Sequence, residues 1–276
     1  MDTITLTKKH TRQFKEALSL KADTTQATYI IFINLLLNYT GPELSRDKVI
    51  SFLSTLSKNS ILTAYYAIRF FYKSIGIPFD IKRSDIAPSG IKRIREVLTH
   101  DEVVKLIKGC DEFDALEAGY IALATTYGLR RGEIYNIKAE MIDIDNKILY
   151  ISRLKAEEIT GRDHLIPDEI SHVLLNMKDA LKHGEKPRYI TNINNLFNIM
   201  CDKVGIILRP RLGLHSLRRA LISELMTSGL SPTVVRDFIG WKPKERDILL
   251  DYTILNWKEV DSKVFSVHPY LKYWAL

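Results

Sequence analysis

Cysteine is scarce: the 276 residues hold two, Cys110 and Cys201, 91 positions apart and in no motif. Neither a disulfide framework nor a cysteine-based metal site is expected from such spacing. Long apolar runs are missing too. The longest, Tyr29 to Leu37, is broken by Asn34 and falls far short of the roughly 20 residues that cross a bilayer, so no membrane partner is expected. The opening residues MDTITLTKKHTRQF lack the apolar stretch of a secretory signal. These absences point to a reduced, cytoplasmic protein. The seven histidines show no metal-ligand spacing, and neither metal nor cofactor is expected. Repeats and low-complexity tracts are absent. What is present, 46% apolar and 26% charged residues, is the composition of a chain that buries real cores, and its length suits two modest domains.

The net charge of +7 is unevenly placed. Residues 1–97 hold 15 Lys and Arg against 8 Asp and Glu, whereas the remainder balances at 25 against 25. A basic segment suits a polyanion, because Lys and Arg release counterions from nucleic acid; a merely solvated basic face fits the charge equally well. From Thr7 to Gly76 the apolar spacing is helical, with breaks at Gly41-Pro42 and Gly76-Ile77-Pro78, giving a bundle of about four helices over 1–78. Residues 79–97 carry Pro88, Ser89 and Gly90 among Lys82, Arg83, Lys92, Arg93 and Arg95. They read as a basic interdomain linker able to touch DNA backbone.

A second domain, 98–276, opens at Thr99, whose hydroxyl and Glu102 three residues on form a capping box. A helix from about Leu116 should stop at Gly128. Alternation on both sides of Asp145-Asn146, and again from Arg162 to Pro167, predicts a small antiparallel sheet in an otherwise helical domain.

Two features carry chemistry. In Thr126-Tyr127-Gly128-Leu129-Arg130-Arg131-Gly132-Glu133 two arginines open a helix, where the positive end of the helix dipole disfavours cations unless an anion is held nearby. A surface arginine pair balanced by Glu133 is the alternative. In Leu214-His215-Ser216-Leu217-Arg218-Arg219 a mostly apolar helix begins with His215 and Arg218 one turn apart, and buried charge needs a partner. A satisfied core histidine is the alternative here. Two arginines and a histidine aimed at one point can grip a phosphodiester and stabilise a pentacoordinate transition state.

The order Gly-Leu-Arg-x-x-Glu, then His-x-x-Arg about 85 residues later, then Gly-Trp, then a tyrosine, resembles the catalytic domain of the tyrosine recombinases, or phage integrases. The resemblance runs from about Thr99 to Tyr252 and extends weakly into the front helices. It implies a mainly α fold with a small antiparallel sheet, in which a helical core-binding domain and an integrase-type catalytic domain form a C-shaped clamp on DNA. It also implies site-specific strand cleavage and rejoining through a 3′-phosphotyrosyl intermediate, in a tetramer on double-stranded DNA and a monomer when free. By the resemblance Arg130, His215 and Arg218 are the catalytic cluster, supported by Glu133, with Arg131 and Arg219 as DNA-contacting neighbours. Lys155, beyond the strand Ile148 to Leu154, takes the place of the family's hairpin lysine, with Lys147 as the lesser choice. The following AEEITGRD is longer and more acidic than the family's usual turn.

Trp241 stands where many relatives have histidine; its indole N–H can donate to a phosphate oxygen but cannot relay a proton. A core aromatic is the other reading. Tyr252, 11 residues after Trp241, is the best-placed nucleophile, with Tyr270 and Tyr273 in reserve. The terminal apolar residues, Tyr270 to Leu276, need a surface, either their own domain or a neighbouring protomer. A type IB topoisomerase-like nicking and resealing protein, and a DNA-binding relative without catalysis, are the competing readings.

Overall fold

A computed structural model of the chain describes residues 3–86, 97–151, 162–186, 190, 192–210, 212–241 and 256–275. The chain divides into two compact units, residues 1–93 and 94–276.

The first unit is the expected helical bundle: α1 (Lys8–Leu18), α2 (Asp23–Thr40), α3 (Arg46–Thr55) and α4 (Lys58–Ser74). Two residues ahead of α1, β1 (Ile4–Thr5), pair antiparallel with β2 (Glu43–Leu44), Ile4 opposite Leu44. This contact is too short to leave an alternating pattern in the sequence. Phe14, Leu36, Leu53, Ile68 and Tyr72 are among the buried residues that form the core. The chain beyond α4 continues to belong to this core. The Phe79 ring lies 5.5 Å from that of Tyr65 and 5.2 Å from that of Tyr72, the Tyr65 hydroxyl donates to the Ile81 carbonyl at 3.1 Å, and Arg46 pairs with Asp85 at 3.0 Å. The expected linker therefore begins as packed chain, anchored by apolar residues that sit between its charges. Lys82 and Arg83 are exposed on it; Lys92, Arg93 and Arg95 lie outside the described residues.

The second unit begins with α5 (His100–Lys108), capped as its sequence requires. The Thr99 hydroxyl accepts from Glu102 N–H at 3.3 Å, and the Glu102 carboxylate accepts from Thr99 N–H at 2.8 Å. Next comes α6 (Ala115–Thr126), started by Asp114, whose side chain accepts from Glu117 N–H at 2.8 Å. Apolar around its circumference, α6 is the buried centre of the unit, as a helix without a polar face must be. It ends at Tyr127, and Gly128 follows in the left-handed region at φ +60°. The short α7 (Arg131–Tyr135) leads to β3 (Ile142–Asp143), β4 (Ile148–Ile151) and β5 (Arg162–Leu165), an antiparallel sheet in the order β3-β4-β5. Asp143 accepts from Asn146 N–H at 3.0 Å to close the first turn. Among the described residues, four more helices precede the tail region: α8 (Asp168–Lys182), α9 (Asn192–Lys203), α10 (His215–Thr227) and α11 (Pro232–Phe238).

The tail packs on its own unit. Helix α12 (Trp257–Phe265) buries Val260 and Val264, and beyond it Tyr270, Leu271 and Trp274 join the same core. His268 pins this segment to the end of α6. Its Nε2 lies 3.0 Å from the Thr126 carbonyl, and its Nδ1 accepts from the N–H groups of Tyr270 and Leu271 at 3.2 Å. Those partners assign a neutral ring carrying its proton on Nε2.

Burial pushes the His268 imidazole down from 6.5 to about 4. Between those values the unfolded chain binds a proton that the folded one refuses, so stability falls as pH drops from about 6.5 towards about 4, by roughly 3 kcal/mol when complete. His268→Gln keeps an N–H donor and an oxygen acceptor but removes the titration. Urea midpoints measured across this pH range should decline less steeply in the variant than in the wild type.

Candidate active site

The site is built around one guanidinium. Arg218, in the first turn of α10, is 2% exposed. Its Nη1 donates to the Gly128 carbonyl and its Nη2 to the Ile239 carbonyl at 3.0 Å. The first of these ends the turn that presents Arg130 two residues on; the second lies two residues before Trp241. A single side chain thus joins α10 to the segments that carry two other expected site residues. Gly128 makes the approach possible: a Cβ there would stand 3.3 Å from Leu221 and 3.4 Å from Arg218 on a backbone with φ +60°, a conformation that costs other residues about 1–2 kcal/mol.

Arg130 occupies the N-cap position of α7. The Glu133 carboxylate holds it twice, accepting from its backbone N–H at 2.7 Å and from its Nη1 at 2.6 Å. Glu133 is nearly buried, whereas the Arg130 side chain is 43% exposed. The geometry therefore fixes the guanidinium from behind and leaves it open to a ligand. The ion pair with Glu133 and an outward role for Arg130 coexist. Arg131 and Arg219 are half-buried beside Arg130 and Arg218.

His215 and Arg218 do share the first turn of α10, but differently from the expected common burial: His215 is exposed while Arg218 is enclosed. The first helical residue has no preceding turn to cover it, whereas Arg218, one turn in, lies under the 128 and 239 segments. Trp241 is 46% exposed, which removes the core-aromatic reading, and its backbone N–H closes the end of α11 on the Arg236 carbonyl at 3.0 Å. Lys155 and Tyr252 lie outside the described residues. The lesser lysine, Lys147, pairs with Asp168 at 2.6 Å. Of the reserve tyrosines, Tyr270 is fully buried and desolvation raises its phenol pKa, while the Tyr273 hydroxyl lies 3.4 Å from His100 Nε2 in the tail packing. Neither is presented as a nucleophile.

With this geometry in place, the chain's likeness to known proteins has a physical basis. Residues 96–247 match the phage integrase family. The chain belongs to that family. Among curated proteins, tyrosine recombinase XerA of Thermococcus kodakarensis is 22% identical over 249 residues, covering 83% of this chain and 85% of the relative. Among solved structures, a lambda integrase dimer bound to a COC′ core site aligns with a TM-score of 0.66 at 16% identity, over 91% of this chain and 77% of the other. A lambda integrase tetramer bound to a Holliday junction aligns at 0.64 and 15% identity, over 88% and 76%. The mostly helical integrase fold with small antiparallel sheets is thereby shown for this chain.

Beneath the site lies a layer of this integrase that motif reading missed. Asp261 on α12, 1% exposed, accepts from Leu165 N–H at 2.7 Å and lies 2.9 Å from His164 Nδ1. Tyr127, the last residue before Gly128, donates its hydroxyl to the Leu165 carbonyl at 2.9 Å. The available signal was an aspartate on the buried face of α12, between Val260 and Val264.

The two arginines should separate in a stability assay. A lysine at 218 offers one ammonium where two carbonyls need donors, and a lost bond to a charged group costs about 1.5–3 kcal/mol. Arg218→Lys should lower the unfolding free energy by about that amount in urea titrations. Arg130→Lys, at a half-exposed position, should change it by less than about 1 kcal/mol.

Proposed function

We propose that this integrase cuts and rejoins double-stranded DNA at a specific site, with the Tyr252 phenol as nucleophile. The observation that carries this reading is Arg218, which binds the Arg130 turn and the Trp241 turn together inside the family-matched region. In this scheme Arg130 and His215 neutralise the non-bridging oxygens as the phosphorus becomes pentacoordinate, the Trp241 indole N–H adds a further donor, and Arg218, enclosed behind them, holds the Arg130 and Trp241 turns in place. Tyr252 gives its phenolic proton to His215 and attacks the phosphorus, its oxygen bonding to the 3′ phosphate as the bond to the 5′ oxygen breaks. Lys155 protonates that departing oxygen. A phenol with an ordinary pKa near 10 needs this electrostatic help to react at neutral pH. The phosphotyrosyl link conserves the energy of the broken ester, so the reverse attack by a 5′ hydroxyl reseals the strand without ATP.

Lambda integrase, solved as a dimer on a core site and as a tetramer on a Holliday junction, supports assembly of this chain as a tetramer on DNA. The basic balance of residues 1–97 supports DNA contact by the first unit and the chain that follows it, with Lys82, Arg83, Lys92, Arg93 and Arg95 on backbone phosphates, and Arg131 and Arg219 of the second unit join them beside the site.

The test is a pool of duplexes with randomised arms, each nicked so that cleavage releases a short fragment and traps the protein. Wild type should form an SDS-resistant adduct, and Tyr252→Phe none. Arg130→Ala and Arg218→Ala should react about 100-fold more slowly or worse. An adduct surviving in Tyr252→Phe would move the nucleophile elsewhere. Resealing that relaxes plasmids without any recombinant product would replace recombination with a topoisomerase-like outcome.

A further inference from the structure

The chain ahead of Arg130 is held at three successive residues. His268 Nε2 donates to the Thr126 carbonyl at 3.0 Å, the Tyr127 hydroxyl to the Leu165 carbonyl at 2.9 Å, and Arg218 Nη1 to the Gly128 carbonyl. The first and last of these bonds satisfy carbonyls at the end of α6, which the helix itself leaves over. The Tyr127 bond satisfies nothing in the helix. It runs from a side chain outward to a strand. Its acceptor is itself held, because Leu165 lies on β5 and its N–H meets the Asp261 carboxylate at 2.7 Å, which also lies 2.9 Å from His164 Nδ1. The His164 ring lies 5.0 Å from that of Tyr127.

Tyr127 is fully buried, and phenylalanine would supply the same packing without a hydroxyl to desolvate. What the hydroxyl adds is direction. Packing alone sets neither the rotation of the α6 end nor its distance from the sheet, whereas a bond from a rigid ring to a fixed carbonyl constrains both. Desolvation raises the phenol pKa well above 10, so the hydroxyl keeps its proton and the bond. Arg130 stands three residues further on, its guanidinium tied to Glu133 at the start of α7, and moves with this turn. We infer that Tyr127 is a positioning residue for Arg130, setting through its hydroxyl where the guanidinium meets the phosphate. This rests on the proposed cleavage and adds a determinant that is itself enclosed.

The experiment uses the full chain and the same nicked pool, with single-turnover cleavage measured at saturating DNA and half-saturation measured separately. Tyr127→Phe should cleave about tenfold more slowly, with half-saturation unchanged. Because the hydroxyl acts through Arg130, adding Tyr127→Phe to Arg130→Ala should cost nothing further, whereas independent losses would multiply. Val173→Ala truncates the same core on α8 without touching the hydroxyl, and should keep the wild-type rate. In the chain without DNA, the Arg130 Nε–H resonance, identified by its loss in Arg130→Lys, should move in Tyr127→Phe and stay in place in Val173→Ala. Tyr127 loses this role if Tyr127→Phe cleaves normally, if it slows Arg130→Ala by the same factor as wild type, if Val173→Ala is slowed equally, or if the resonance does not move. Should Tyr127→Phe not fold, Asp261→Asn, which frees the far side of the Leu165 peptide, must show the same dependence on Arg130, and a normal rate or a multiplied loss there overturns the role too. A wild type that forms no adduct sinks the cleavage reading instead, and the resonance still decides whether Tyr127 sets Arg130.

Discussion

Everything near the site depends on placing a guanidinium where water cannot reach it. Taking a cation out of water costs several kcal/mol unless its donors find acceptors, and Arg218 finds them in the carbonyls of Gly128 and Ile239. Those carbonyls are themselves groups that secondary structure leaves over: one follows the end of α6 and the other the end of α11. The arginine thus solves two problems of orphaned helix-terminal acceptors while fixing three segments relative to one another. Breaking this arrangement disturbs fold and chemistry at once.

Around that centre, the polar and charged groups divide by exposure. Arg130, His215 and Trp241 are reachable from solvent, while Arg218, Glu133, His164 and Asp261 are enclosed. The enclosed set consists of directional hydrogen bonds to backbone or to one another, a geometry that rigidly supports the groups in front. Preorganisation of this kind places donors before the substrate's charge develops.

Local signals were legible where a few adjacent residues decide the outcome. Thr99 with Glu102, Gly128 after α6, and Asp145-Asn146 between strands each act within four residues, and each forms as read. The same locality made Arg130 with Glu133 visible. Illegible features join residues far apart in the chain. Nothing near Arg218 announces Gly128 90 positions away, and nothing near Asp261 announces Leu165. The linker reading fell short for a related reason: its charges were conspicuous, but Phe79 and Ile81 bury against residues of α4. The choice between the two surfaces available to the tail likewise rested on His268 and Thr126, 142 positions apart.

That tail has a consequence for biosynthesis. Tyr270, Leu271 and Trp274 complete the core of the second unit, so a ribosome must carry the chain essentially through residue 274 before that core can close. The first unit, whose core is made within residues 1–93, is free to fold much earlier, in keeping with domain-by-domain folding during synthesis. A nascent chain would thus acquire its basic helical unit well before it acquires a finished cutting centre. Chains truncated before the tail would carry the arginines of the site without the packing that closes the core around them.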